Sequence, residues 1–216
     1  MSEEIKAIET FYDGYRFRSR LEARWAVFFN ASGIRYTYEP DGFYKYGDRG
    51  EMYLPDFYLP GYDVYAEVKG SRPGVGDEVK KAINVMANKI NRKVLLLLPD
   101  IPNTMDCGVW WLPIYYYHPL CGTTGCRAAF LTQDGNGDHG PINLTTYFAV
   151  GCRCILNAFH PEIIERELKA VADEDMKEND EYPVREAFDS DLLRNCFLKA
   201  RQARFEHGES PEVVNW

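Results

Sequence analysis

Between residues 52 and 68 two short stretches of extended character flank Pro60-Gly61-Tyr62-Asp63. Proline presets a turn φ and glycine adopts turn conformations freely, so the economical reading is an antiparallel hairpin of 52–59 with 64–68. In its second strand a period of two sends Val64, Ala66 and Val68 to one face and Glu67 and Lys69 to the other. The apolar face must lie on a core, which leaves both charges on the opposite side. Asp56 sits on the partner strand, where a short turn brings its carboxylate within reach of Glu67. Two carboxylates in a half-buried sheet repel unless they share a proton or bind a cation. Oxygen ligands completed by water and phosphate oxygens suit Mg²⁺ or Mn²⁺ rather than zinc. A lysine beside that ion can polarise a water and stabilise charge developing on phosphorus, so Asp56, Glu67 and Lys69 point to phosphodiester hydrolysis.

The flanking segments supply a scaffold. Residues 19–29 carry Leu21, Trp25, Phe28 and Phe29 on one helical face, and Gly33 stops the pattern, which predicts a helix packed on a core. Glu22 stands three residues after Ser19, a capping-box spacing, so capping and a place at the site are both open to it. Ile34, Tyr36 and Tyr38 alternate as a strand closed by Glu39-Pro40. Val79, Ala82, Ile83, Met86 and Ile90 mark a second amphipathic helix, and the apolar run 94–98 reads as a central strand buried on both faces. Helix, three strands, helix, strand describes an α/β fold, a mixed sheet covered by helices.

Pro55-Asp56, ten residues, then Glu67-Val68-Lys69 resembles the PD-(D/E)xK nuclease superfamily. The stretch Arg18-Ser19-Arg20-Leu21-Glu22-Ala23-Arg24-Trp25-Ala26 is similar to the opening helix of nuclease-like proteins of phages and mobile elements, and Ala203-Arg204-Phe205-Glu206-His207-Gly208 resembles chains of the same group. The core resemblance covers residues 15–100, under half the chain. It implies a restriction-endonuclease-like sheet flanked by helices, with Mg²⁺ (or Mn²⁺) held by Asp56, Glu67 and the carbonyl of Val68. It further implies Lys69 assisting the attacking water, Glu22 near the site, and DNA as the substrate of an endonuclease.

Three segments follow: a nuclease core over 1–105, a cysteine-containing segment over 106–160, and a helical C-terminal region with an acidic loop over 161–216. In the middle segment 110–117 reads as a strand, while 122–140 is rich in turn residues. Cys121, Cys126, Cys152 and Cys154 form two pairs that could share a structural Zn²⁺, with His118 or His139 as substitute ligands; buried thiols are the alternative. Cys107 and Cys196 read as core residues. Helices are expected over 161–172 and 191–205.

The formal charge of −8 is carried by residues 161–191, where 12 acids face 4 bases, and the rest of the chain is neutral. Residues 69–93 hold 7 bases against 2 acids, so a polyanionic partner is not excluded. Lys80, Lys81, Asn84, Asn88 and Lys89 could follow a phosphate backbone, and the 43–51 loop with Lys45 and Arg49 could touch substrate. Most of the ten aromatic residues between 34 and 65 read as sheet packing. No apolar run could span a bilayer and no export signal opens the chain, so the expectation is a cytoplasmic protein, in the host cytoplasm if phage-encoded, without a membrane partner. A homodimer is the assembly that would cut two strands. The rival readings are a catalytically silent nucleic-acid-binding or recombination subunit and a structural zinc module.

Overall fold

The computed structural model describes residues 8–40, 44–46, 51–70, 93–97, 101, 111–118, 123–133, 142–146, 191–205 and 210–213. Among them the fold is mixed α/β. β1 (Thr10–Tyr12) and β2 (Tyr15–Phe17) form a hairpin around Asp13-Gly14, whose φ values of 49° and 78° suit a tight two-residue turn. Helix α1 (Arg20–Ala31) follows, then β3 (Thr37–Tyr38), β4 (Tyr44–Tyr46), β5 (Glu51–Tyr53), β6 (Phe57–Leu59), β7 (Val64–Val68), β8 (Lys93–Leu97), β9 (Trp111–His118), β10 (Thr123–Gln133) and β11 (Ile142–Thr146). Helix α2 spans Asp191–Gln202.

Seven strands make one sheet in the order β11-β10-β9-β8-β7-β6-β3, antiparallel throughout except for the parallel pair β7 and β8. A parallel neighbour requires a crossover between residues 68 and 93. The helix expected over 79–90, with its lysines and asparagines, lies outside the described residues. The Pro60-Gly61 turn joins β6 to β7 as expected, with the Tyr62 N–H donating to the Leu59 carbonyl at 3.1 Å. The first hairpin strand is divided, however. β5 pairs with β4 in a separate ribbon, and Pro55, which has no N–H for a ladder, falls in the irregular link before β6.

Helix α1 starts and stops where the residue pattern places its ends. Ser19 is the N-cap and accepts the Glu22 N–H at 3.2 Å. At the other end the Ile34 N–H reaches the Phe29 carbonyl at 2.9 Å and the Gly33 N–H reaches Asn30 at 3.2 Å, a closure that needs the positive φ of Gly33 (72°). That closure delays the strand expected from Ile34, which shrinks to Thr37–Tyr38. Phe29 meets Phe57 edge-on at 5.4 Å, while Phe28 stacks on Phe197 of α2 at 4.6 Å. Lying between sheet and α2, α1 buries Ala23, Trp25, Ala26 and Val27 as well. Each large side chain so buried contributes roughly 1.5–3 kcal/mol.

The alternation in β7 holds. Val64, Ala66 and Val68 join the core cluster with Leu95 and Leu97 of β8, and the residues between them face the other side. The strand expected over 110–117 is β9. The turn-rich segment 122–140 instead contains the 11-residue β10. β10 pairs with β9 over Thr123–Phe130 and with β11 over Ala129–Gln133, so backbone hydrogen bonds hold it along its length where side-chain alternation is weak. The boundary set near 105 falls outside the described residues, and β9–β11 continue the same sheet. The helix expected over 161–172 and the acidic loop also lie outside them. Among the described residues no helix is long and apolar enough to cross a membrane.

Candidate active site

Because Phe57 pairs with Ala66, one further step along the β6–β7 ladder sets Asp56 opposite Glu67. Both are 5% exposed. Asp56 Oδ2 accepts the Val68 N–H at 2.7 Å, and its Oδ1 accepts Arg18 Nη2 at 2.6 Å. Glu67 Oε1 accepts Lys69 Nζ at 2.5 Å, and its Oε2 accepts the Tyr53 hydroxyl. Lys69 returns to Glu67 because both lie on the face of β7 turned away from the α1 core. Tyr53 reaches the same carboxylate from the end of β5, on the far side of the Pro55 link.

Glu22 completes the cluster from the first turn of α1. Its Oε1 accepts the Ser19 hydroxyl at 2.7 Å, and its Oε2 accepts the Tyr38 hydroxyl at 2.6 Å and the Arg18 N–H at 3.1 Å. Capping is therefore observed for Glu22, together with a place at the site. Arg18 Nε also forms an ion pair with Glu39 Oε1 at 2.9 Å, and Glu39, at a positive φ of 44°, gives its own N–H to the Asp56 carbonyl at 2.9 Å. Arg18, Glu22, Tyr53, Asp56, Glu67 and Lys69, with Leu54 and Val68, line one open cavity of about 390 Å³.

Three carboxylates facing two cations leave this cavity with an excess of negative charge. Burial, then Glu67, then Glu22 push the Asp56 carboxyl well above its usual range, against the opposing pull of the Val68 N–H and Arg18. Burial and Glu67 likewise raise the Tyr53 phenol, and burial with the bond to Glu22 raises Tyr38, so both remain neutral donors. Burial disfavours the Arg18 charge, but Asp56 and Tyr38 outweigh it and hold the guanidinium protonated.

Among the described residues no group of three or more His, Cys, Asp and Glu side chains is placed to hold one ion. A cation at this site would rest on two carboxylates, a main-chain oxygen and water. The Val68 carbonyl suits that role: in a strand N–H and C=O point to the same edge, the Val68 N–H points to Asp56, and the facing Pro55 has no N–H to offer the carbonyl. The donor set fits a hard divalent cation such as Mg²⁺ or Mn²⁺, and the crowding of Asp56 and Glu67 is what such an ion relieves.

The structure thus brings together Glu22, Asp56, Glu67, Val68 and Lys69. Of the four zinc candidates, Cys126 lies in β10 opposite Tyr115, while Cys121, Cys152 and Cys154 lie outside the described residues, as does Cys107. Cys196 is a buried core thiol, 3.2 Å from the Ala31 carbonyl and pushed up to about 11 by burial. Sequence reasoning missed Arg18, Tyr53, Tyr38 and Glu39 as site residues. Arg18 adjoins the N-cap Ser19, a signal that could have raised it; Tyr53 carried none, since the kink at Pro55 decides where its hydroxyl points. The β1–β2 hairpin was missed too, although Asp13-Gly14 is a strong turn signal. Comparisons with protein-family models, curated proteins and solved structures found no match for this chain.

Proposed function

We propose that the chain is a Mg²⁺-dependent nuclease with a restriction-endonuclease-like core, hydrolysing phosphodiester bonds in DNA as an endonuclease. The observation that carries this reading is the convergence of Asp56, Glu67 and Lys69, with the Val68 main chain, on one open cavity. DNA as the polymer follows from the resemblance of residues 15–100 to the PD-(D/E)xK superfamily.

Asp56 and Glu67 would hold the cation, which when bound would supply positive charge to polarise a water and to offset charge on the phosphate. The Val68 N–H fixes the rotamer of Asp56 and the Tyr53 hydroxyl that of Glu67, so neither carboxylate must be ordered when the ligand arrives. Lys69 Nζ, held 2.5 Å from Glu67, stands where it can orient the attacking water and stabilise negative charge developing on the phosphate oxygens. Glu22 anchors the Arg18 backbone and Tyr38, joining α1 to the catalytic strands.

The test is incubation of the pure protein with single-stranded, duplex and branched DNA in Mg²⁺ and in EDTA. Cleavage that needs Mg²⁺ and disappears in Asp56→Asn supports the reading. A folded protein that binds DNA yet cuts none of the three substrates would replace it with the silent nucleic-acid-binding subunit.

A further inference from the structure

Arg18 stands at the mouth of the cavity with one nitrogen on each of two carboxylates: Nη2 on Asp56 Oδ1 at 2.6 Å and Nε on Glu39 Oε1 at 2.9 Å. Its side chain is 53% exposed, against 7% for that of Asp56. A solvent-reaching cation therefore covers one oxygen of a buried carboxyl group. The other oxygen, Oδ2, is held by the Val68 N–H, a backbone group that cannot leave without breaking β7. Oδ1 is thus the oxygen whose present partner can move aside for an incoming cation, and that partner is Arg18.

Resting on the nuclease reading, we propose that Arg18 guards Asp56 in the free protein and is transferred to a DNA phosphate when a divalent cation takes Asp56. A guanidinium and a divalent ion on the same carboxylate oxygen repel at close range, so metal entry drives Arg18 outward. Glu39 remains as a tether and keeps the side chain at the rim. There its remaining N–H groups meet the anion that arrives with the metal, and a planar fork suits two phosphate oxygens. The exchange couples metal to substrate: DNA supplies Arg18 with the partner that it loses to the ion, so each ligand favours the other.

The alternative is a fixed strut joining the β2–α1 junction to β6, and metal affinity separates the two. Mn²⁺ is titrated into DNA-free wild type and Arg18→Met, with free Mn²⁺ read by electron paramagnetic resonance and folding checked by thermal unfolding. Arg18→Gln is the second neutral variant should the Met protein not fold. Removing an opposing charge at this distance should tighten Mn²⁺ binding by about tenfold. DNA binding in Ca²⁺ should weaken, with the slope of log affinity against log salt falling by about one. The strut predicts lower thermal stability with Mn²⁺ affinity and salt slope unchanged, and that result overturns the proposal while the nuclease reading stands. Wild type that takes up no Mn²⁺, with or without DNA, overturns both.

Discussion

Helix α1 serves two regions built on opposite physics. Along its length Trp25, Phe28 and Phe29 enter an apolar cluster in which every contact is favourable on its own, between Phe57 of the sheet and Phe197 of α2. At its N-terminus Glu22 joins Asp56 and Glu67 in a cavity where each carboxylate is tolerated only because a donor faces it. The core stabilises the fold, and the cavity draws on that stability to hold charges that water would hold better. On the nuclease reading, the difference predicts where the chain can be altered: truncation in the first region should cost stability and leave cleavage in place, while neutralisation in the second should remove cleavage at little cost in stability.

The sharpest way to break that contrast is Glu67→Gln or Asp56→Asn. On the nuclease reading, loss of either carboxylate should lower single-turnover cleavage at least about a thousandfold. Urea unfolding in EDTA should give a midpoint equal to or above that of wild type. Asparagine is preferred to alanine at 56, because alanine would leave the buried Val68 N–H without an acceptor. A large drop in stability for either variant would show that the cavity is structural. On the other side, Phe28→Ala should cost about 3–5 kcal/mol by chemical denaturation through loss of the stack on Phe197. Cleavage by the fraction that stays folded should be unchanged.

The pH dependence sharpens the same contrast. A carboxyl raised on folding binds its proton more tightly in the native state. Its contribution to stability is therefore complete below the ordinary value of 3.8 and is lost as pH rises through the elevated native value. Metal-free wild type should accordingly lose ground to Asp56→Asn as pH climbs from 4 to 8, and a gap that stays constant would exclude charge burial at Asp56 as the source. Ser19→Ala removes the cap that accepts the Glu22 N–H, and should cost about 1 kcal/mol with a small effect on cleavage. Smallest of all, Cys196, whose thiol burial pushes up to about 11, should resist alkylation at pH 8 in the folded protein. Peptide mass spectrometry showing rapid labelling there would mean that the α1–α2 contact opens.

Much of the site was legible because it is encoded by short-range rules. The step from Glu67 to Lys69 sets both on one face of β7, the Pro60-Gly61 turn sets Asp56 across from them, and Ser19 with Glu22 starts α1 at the cavity. Those rules act over a few residues, where strand parity, turn geometry and capping leave few alternatives. β10 was hidden because a strand held along its length by backbone hydrogen bonds needs no side-chain alternation.

From its residues alone the chain was bound to form an amphipathic helix over 19–29, a hairpin through Pro60-Gly61 and a buried apolar strand over 94–98, since local sterics and apolar periodicity decide each of these. Only the tertiary structure decided which cations meet which anions. Arg18 reaches Asp56 across 38 positions and Tyr53 reaches Glu67 across 14. Such pairings depend on where α1 and β5 dock against β7, and docking is set by the packing of the whole core, which no local spacing records.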